Sequence, residues 1–333
     1  MAAAVLIPGK GLWSGGSGVA DRATAAPVTA STPFAIASLT KTFIAALAVK
    51  LSEQGRFGLD DPISRWLPRW PNAQRITVRE LLNQTSGVSP LGQRLSDPIN
   101  QAIDARPRSF WSVQRTLSYA RKPASTPGAQ WQYNNANYLL AGQIIEHATH
   151  ATVAQELRRE FLDPLHLSDI VLQPQEHERL PAAHGYGMID GDKHARDLAD
   201  GSRFVPYTSV ASSAWTYGGL VASAPSVARL ADALLRGSLL TPASRKQMLT
   251  TVPANGTGYF SYGLGIGQTF STRLFKNVWT TYGLFPGFGS TLRYLPGRNV
   301  TVVVLANGDN TTPITADIAD LLLQTATEPA GSA

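Results

Sequence analysis

Pro33-Phe34-Ala35-Ile36-Ala37-Ser38-Leu39-Thr40-Lys41 passes from an extended apolar stretch into the first turn of a helix, and its last four residues put a nucleophile beside an amine. A helix turns once in about 3.6 residues, so side chains three apart share a face and the Lys41 amine comes within hydrogen-bond reach of the Ser38 hydroxyl. Such pairing is how a weakly nucleophilic alcohol becomes an attacking group. Taken alone, Ser-x-x-Lys fits an N-cap serine followed by a surface lysine equally well, so the rest of the chain must decide.

Working outward, Phe43, Ile44, Leu47 and Leu51 recur at helical spacing over residues 40–54, and Gly55 supplies a stop. The nucleophile therefore sits at the amino end of a long helix whose other face is core. Upstream, residues 3–7 and 11–14 read as a hairpin. Downstream, Thr77-Val78-Arg79-Glu80 is a capping box that starts another helix. The Pro- and Arg-containing stretch 89–127, with one helix near 112–120, reads as an excursion lining a cleft. Helical patterns follow at 137–150, 153–161, 226–236 and 241–249. Short strands are predicted at 262–267, 279–282, 290–295 and 300–305, then a helix at 313–326 and a frayed tail at 328–333. This order predicts an α+β fold, an antiparallel sheet built from both termini and flanked by helices, with an inserted, mostly helical region. Residues 1–58 and 205–333 would form the sheet domain and 59–204 the insert, with the site at their interface.

The chain has 333 residues, 43% hydrophobic and 16% charged, the make-up of a globular protein with a large core. Its 29 basic and 23 acidic side chains leave a net charge of +6, but the basic residues are scattered, so no nucleic-acid partner is expected. The absence of cysteine excludes disulfides, thiolate catalysis and thiolate metal sites. Of the histidines only His147 and His150 share a helical face, and they lack an acidic third ligand; no metal and no cofactor are expected. No apolar run approaches the roughly 18 to 20 residues of a membrane span. Residues 1–8 are apolar but too short for a signal peptide, which fits a chain beginning where a leader or anchor was removed.

Two further segments give the serine its context. Tyr133 and Asn135, in Gln132-Tyr133-Asn134-Asn135-Ala136-Asn137-Tyr138, stand where a loop opens onto a helix, and residues two apart point the same way in extended chain. A nearby lysine ammonium would favour the phenolate of Tyr133 and make it a base toward Ser38, while Asn135 offers a donor and an acceptor to a substrate amide. The third segment, Thr281-Tyr282-Gly283-Leu284-Phe285-Pro286-Gly287, lies on a strand whose edge can donate a backbone N–H to an oxyanion.

These three motifs in this order resemble the penicillin-recognising serine hydrolases, in particular the class C β-lactamase and D-alanyl-D-alanine carboxypeptidase branch and its related esterases. Leu59-Asp60-Asp61-Pro62, Leu81-Leu82-Asn83-Gln84-Thr85-Ser86-Gly87, Gly218-Gly219-Leu220-Val221-Ala222-Ser223 and Val304-Leu305-Ala306-Asn307 extend the likeness over nearly the whole chain. The resemblance implies a β-lactamase/transpeptidase-like fold and a hydrolase. In it Ser38 is acylated, Lys41 is its proton partner, and Tyr133 is first base and then acid for the leaving group. Asn135, Thr281, Tyr282, Gly283 and Leu284 bind substrate, with the N–H groups of Ser38 and Leu284 as oxyanion hole. Which of Lys41 and Tyr133 takes the first proton stays open, because the two titrations are coupled.

Three positions depart from that pattern. Thr281 and Tyr282 stand where the family has a lysine or histidine followed by a small hydroxyl residue, so the cation for a substrate carboxylate is missing. Arg293 on the next strand is a candidate replacement. Gln84 replaces a histidine and is expected to support the site from behind, and the amino terminus lacks the family's first helix. The expected substrate is therefore a small ester, amide or peptide, with esterase or amidase chemistry ahead of carboxypeptidase and β-lactamase. A non-catalytic module holding penicillin or cell-wall fragments is the alternative. A monomer is expected; the resemblance implies a secreted or cell-envelope protein, with the cytoplasm left open.

Overall fold

The valine-rich run Val300–Ala306 becomes a central strand because it is covered on both faces, and every residue of it is buried. A computed structural model describes residues 1–93, 96–177, 180–188, 194–255 and 258–328 of the chain. Its main sheet contains β1 (Ala2–Ile7), β2 (Gly11–Gly16), β3 (Val252–Pro253), β4 (Ser261–Tyr262), β5 (Gly267–Ser271), β6 (Lys276–Phe285), β7 (Phe288–Leu295) and β8 (Val300–Ala306). The order is β3-β4-β5-β6-β7-β8-β1-β2, antiparallel throughout, with Ala2 opposite Leu305. The two ends of the chain thus meet in one sheet, as the strand pattern predicts.

The described helices are α1 (Thr40–Glu53), α2 (Val78–Leu82), α3 (Pro98–Asp104), α4 (Val113–Leu117), α5 (Asn135–Thr149), α6 (Val153–Leu157), α7 (Thr208–Gly218), α8 (Ala224–Leu235), α9 (Pro242–Met248) and α10 (Thr312–Thr327). Val302 and Val304 pack with Ala319 and Leu323 of α10, whereas Val303 and Leu305 turn to the larger core that α1 and α8 share. A strand covered on both faces needs no polar alternation, hence the continuous apolar run. None of the described helices is long and apolar enough to cross a membrane.

Four sequence expectations are revised. α1 is buried on all sides from Thr40 to Val49, because α5, α7 and α9 surround it. The predicted strand 262–267 is two strands around a turn in which Gly265, at φ +77, lies against the α1 backbone; a Cβ there would sit 2.6 Å from the Lys41 carbonyl oxygen. Neither α3 nor α7 stands among the predicted helices, although Ile99 and Ile103 of α3 are buried one turn apart. In α7 every residue is buried, so small hydroxyl residues occupy all its faces, and Ser212 satisfies its hydroxyl on the Thr208 carbonyl at 2.6 Å. The Thr77–Glu80 capping box forms as expected. Beyond Glu328 the expected frayed tail lies outside the described residues.

Candidate active site

Ser38 lies in a single 3₁₀ turn, Ala37–Leu39, that feeds directly into α1. Ala37 before it has φ +47, a region non-glycine residues rarely enter, so the turn stores strain beside Ser38. In the first turn of α1, Lys41 Nζ lies 2.9 Å from Ser38 Oγ and donates to the Tyr217 carbonyl at 2.8 Å. That carbonyl reaches Lys41 because α7 breaks at Trp215, with φ +34, just before its end. Lys41 is fully buried, and rings surround it: Tyr133 at 4.9 Å, Tyr217 at 5.2 Å and Tyr138 at 5.7 Å from Nζ. Among the described residues no carboxylate pairs with it, and burial pushes its amine well below the ordinary lysine range. A neutral amine has two hydrogens and one lone pair; one hydrogen goes to Tyr217, and the lone pair is available to the Ser38 proton.

Tyr133 is delivered by a rigid entry to α5. Asn134 caps the helix, accepting from the Ala136 N–H at 2.9 Å, while its own amide donates to Val88 O at 2.8 Å and Ser89 O at 3.0 Å. Gln84 stands behind this turn, its Oε1 accepting from Asn134 N at 3.0 Å and Asn137 Nδ2 at 2.7 Å. Its contribution is support, as the sequence suggested. The Tyr133 phenol is near enough to Ser38 for that hydroxyl to act on its titration, and its ring lies 4.9 Å from Lys41 Nζ, so serine, lysine and tyrosine converge. Burial and the neighbouring Tyr259 push the Tyr133 phenol up rather than down. The sequence argument counted the lysine charge, whereas enclosure of both groups favours both neutral forms. Asn135 opens α5, and its Nδ2 donates to Leu91 O at 3.0 Å.

The third motif comes in on β6. Counting back from the Pro286-Gly287 turn, Gly283 and Phe285 pair with Ser290 and Phe288, so the intervening Leu284 N–H points away from β7. On that side β5 pairs with β6 only as far as Thr280, which leaves the edge open at Leu284. Gly283 is where the strand presses on the turn carrying Ser38: a Cβ there would overlap Ser290 Oγ and Ile36 O and lie 3.1 Å from Ala37 Cβ. Ser290 fastens the same contact by donating to Ile36 O at 2.8 Å.

Thr281 is buried beside Tyr259, whose hydroxyl accepts from the Tyr282 N–H at 3.3 Å. Tyr259 thus packs against the two residues that stand where the resemblance calls for a cation and a small hydroxyl residue. Arg293 does not replace it. Opposite Thr280, it lies on the other face of the sheet from Gly283; it donates to Asp320 at 2.8 Å and to Thr280, and sits 4.9 Å from the Tyr282 ring.

Sequence reasoning missed Tyr217, Tyr259 and Leu91. Tyr217 and Leu91 contribute backbone carbonyls, which leave no residue-type signal. Tyr259 fits because Gly267 has no side chain where its ring lies. Tyr259→Phe is expected to lower kcat several-fold with little change in melting temperature, by freeing the Tyr282 N–H; steady-state kinetics and a thermal melt check this. Of the described residues, Asp21, His184 and Asp197 could offer three metal ligand atoms, all within 4.8 Å of one another. The His147–His150 reading did not foresee that group.

A family model described as Beta-lactamase matches residues 1–327. The chain is 26% identical over 301 residues to a "Putative penicillin-binding protein PbpX" of Bacillus subtilis (strain 168), covering 89% of this chain and 67% of that protein. It is 29% identical over 286 residues to "Esterase EstB" of Burkholderia gladioli, covering 76% and 72% respectively. The solved D-amino acid amidase of Ochrobactrum anthropi SV3 superposes with a TM-score of 0.81 at 25% identity, covering 97% of this chain and 92% of that one. The chain spans about two thirds of the length of the Bacillus subtilis relatives it matches.

Proposed function

We propose that this chain, which belongs to the beta-lactamase family, is a serine hydrolase that cleaves an ester or amide through an acyl-enzyme on Ser38. The observation that carries this reading is a fully buried Lys41 with its nitrogen 2.9 Å from Ser38 Oγ. The site would lie where residues 1–58 and 205–333, which supply Ser38, Lys41 and the third motif, meet residues 59–204, which supply Tyr133 and Asn135.

As Ser38 Oγ attacks the carbonyl carbon, its proton passes to neutral Lys41. The oxyanion is held by the N–H groups of Ser38 and Leu284, such donors being worth about 2.7 to 4 kcal/mol each in a transition state. Tyr133, kept as a neutral phenol, gives its proton to the departing oxygen or nitrogen and recovers one from the Lys41 ammonium. Water then attacks the ester on Ser38 and releases the acid. Incubation with an acylating probe should add one acyl mass to the wild type and none to Ser38→Ala. A wild type that never gains mass removes the proposal, and acylation without release favours the binding-module reading.

The active form needs the amine uncharged. Because Lys41 is shifted down, kcat/KM is expected to fall as pH drops through that lowered value and to stay level above it. A pH–rate profile without an acid limb would contradict Lys41 as base. Thr281 in place of a cation, with Arg293 engaged elsewhere, supports esters and amides that lack a carboxylate. The names of the esterase and amidase relatives agree with that ranking. Thr281→Lys should tighten binding of carboxylate-bearing ligands about tenfold, the value of one charge-assisted hydrogen bond. Unchanged affinity in a titration with benzylpenicillin or N-succinyl amides would remove this substrate argument.

A further inference from the structure

Antiparallel register gathers three hairpin turns at one end of the main sheet. Ser271 pairs with Lys276, Leu295 with Val300 and Ile7 with Gly11, while Trp279 lies opposite Tyr294 and Leu6 opposite Thr301. Turns 272–275, 296–299 and 8–10 therefore stand in a row. The Pro286-Gly287 turn closes the other end, beside the Ser38 site; from Lys276 to Leu284 the extended β6 spans on the order of 25 Å.

Each of the three turns is basic. Lys10, Arg273, Lys276 and Arg298 are exposed, and among the described residues none of them pairs with a carboxylate. Stretches 5–13, 270–278 and 294–300 contain no aspartate or glutamate. Exposed Glu328, two residues past the Ala326 that joins the same cluster as Leu274, offsets part of this charge. Like charges gathered without counterions favour an anionic partner.

The apex adds an apolar group. Leu274 packs into the cluster beneath it, whereas Phe275 is 81% exposed at φ +50, a conformation that aromatic residues rarely adopt. Phe270, near the end of β5, is half exposed as well. A soluble polyanion gives such rings nothing to enter. The boundary between headgroups and acyl chains takes an aromatic ring while basic side chains stay at the phosphates.

We propose that this end of the sheet docks on an anionic phospholipid bilayer, with Phe275 inserted and Lys10, Arg273, Lys276 and Arg298 against the lipid phosphates. Docked in this way, the chain carries the Ser38 site at the end of the sheet that points away from the bilayer. Docking requires no catalysis, so its test is independent of the acyl-enzyme assay.

Vesicle sedimentation of the full chain reads it. In about 0.1 M salt the protein should bind vesicles with about 30% phosphatidylglycerol at least about tenfold more tightly than phosphatidylcholine alone, one Lys or Arg at such a surface being worth about fivefold in partitioning. Salt of about 0.5 M should release it. Arg273→Glu with Lys276→Glu should weaken binding about 25-fold or more, and Phe275→Ser severalfold, each with unchanged ester turnover and melting temperature. Because the chain has no cysteine, an environment-sensitive dye on Phe275→Cys reports one place. Its emission should shift to the blue on the anionic vesicles, and the same dye on Leu284→Cys should not shift. Equal binding to both vesicle types, binding to neither, or an unshifted dye at position 275 overturns the proposal. So does heparin that displaces the vesicles and binds Phe275→Ser as tightly as the wild type, which assigns the patch to a soluble polyanion.

Discussion

Lys41→Met is expected to lower kcat/KM by about 10² to 10⁴-fold, the range for a positioned general base. Methionine is unbranched and apolar, so it suits the enclosure of Tyr133, Tyr138 and Tyr217 rings that now holds the Lys41 amine. Its stability balance has two opposing parts. The Tyr217 carbonyl loses its donor, an expense of about 1 to 3 kcal/mol, while the desolvation of an amine is relieved. Activity should therefore collapse in a protein that still melts cooperatively near the wild-type temperature. Retention of most activity in this variant would assign the first proton to Tyr133 and remove the role given to Lys41.

Gly283→Ala is expected to cost about 10² to 10³ in kcat, as for removal of one oxyanion donor. The added methyl has no space, because Ile36 O and the Ala37 side chain belong to the turn carrying Ser38 and Ser290 Oγ is bonded to that turn. The strand must lift, and the Leu284 N–H one residue on moves with it. Leu284→Ala is the matched control: this side chain is 59% exposed and only its backbone is used, so kcat should change little. Equal losses in both variants, or none in Gly283→Ala, would show that β6 does not supply the donor. Kinetics and thermal melts on the pair separate a displaced strand from a general loss of stability.

Much of the fold is legible in local pattern. The hairpin 3–14, the helix after Ser38, the capping box at Thr77 and the final strands each carry a period or a turn signature that the structure realises. The α7 helix has no such signature, because complete burial removes the polar face that makes a helix visible. The strand expected at 262–267 failed for the opposite reason, since Gly265 serves a close approach to α1 rather than an extended run.

The amino-acid sequence by itself determined which side chains can do chemistry: Ser38 and Lys41 one helical turn apart, Tyr133 and Asn135 at a helix entry, and no cation at Thr281. Only the tertiary structure decided their charge states and partners. Lys41 is held well below the ordinary lysine range because rings and a carbonyl enclose it, Arg293 is turned to Asp320, and Asn135 is fixed by a carbonyl 44 residues earlier in the chain. Desolvation and long-range backbone contacts have no local sequence signal, because both depend on which distant segments close around a side chain.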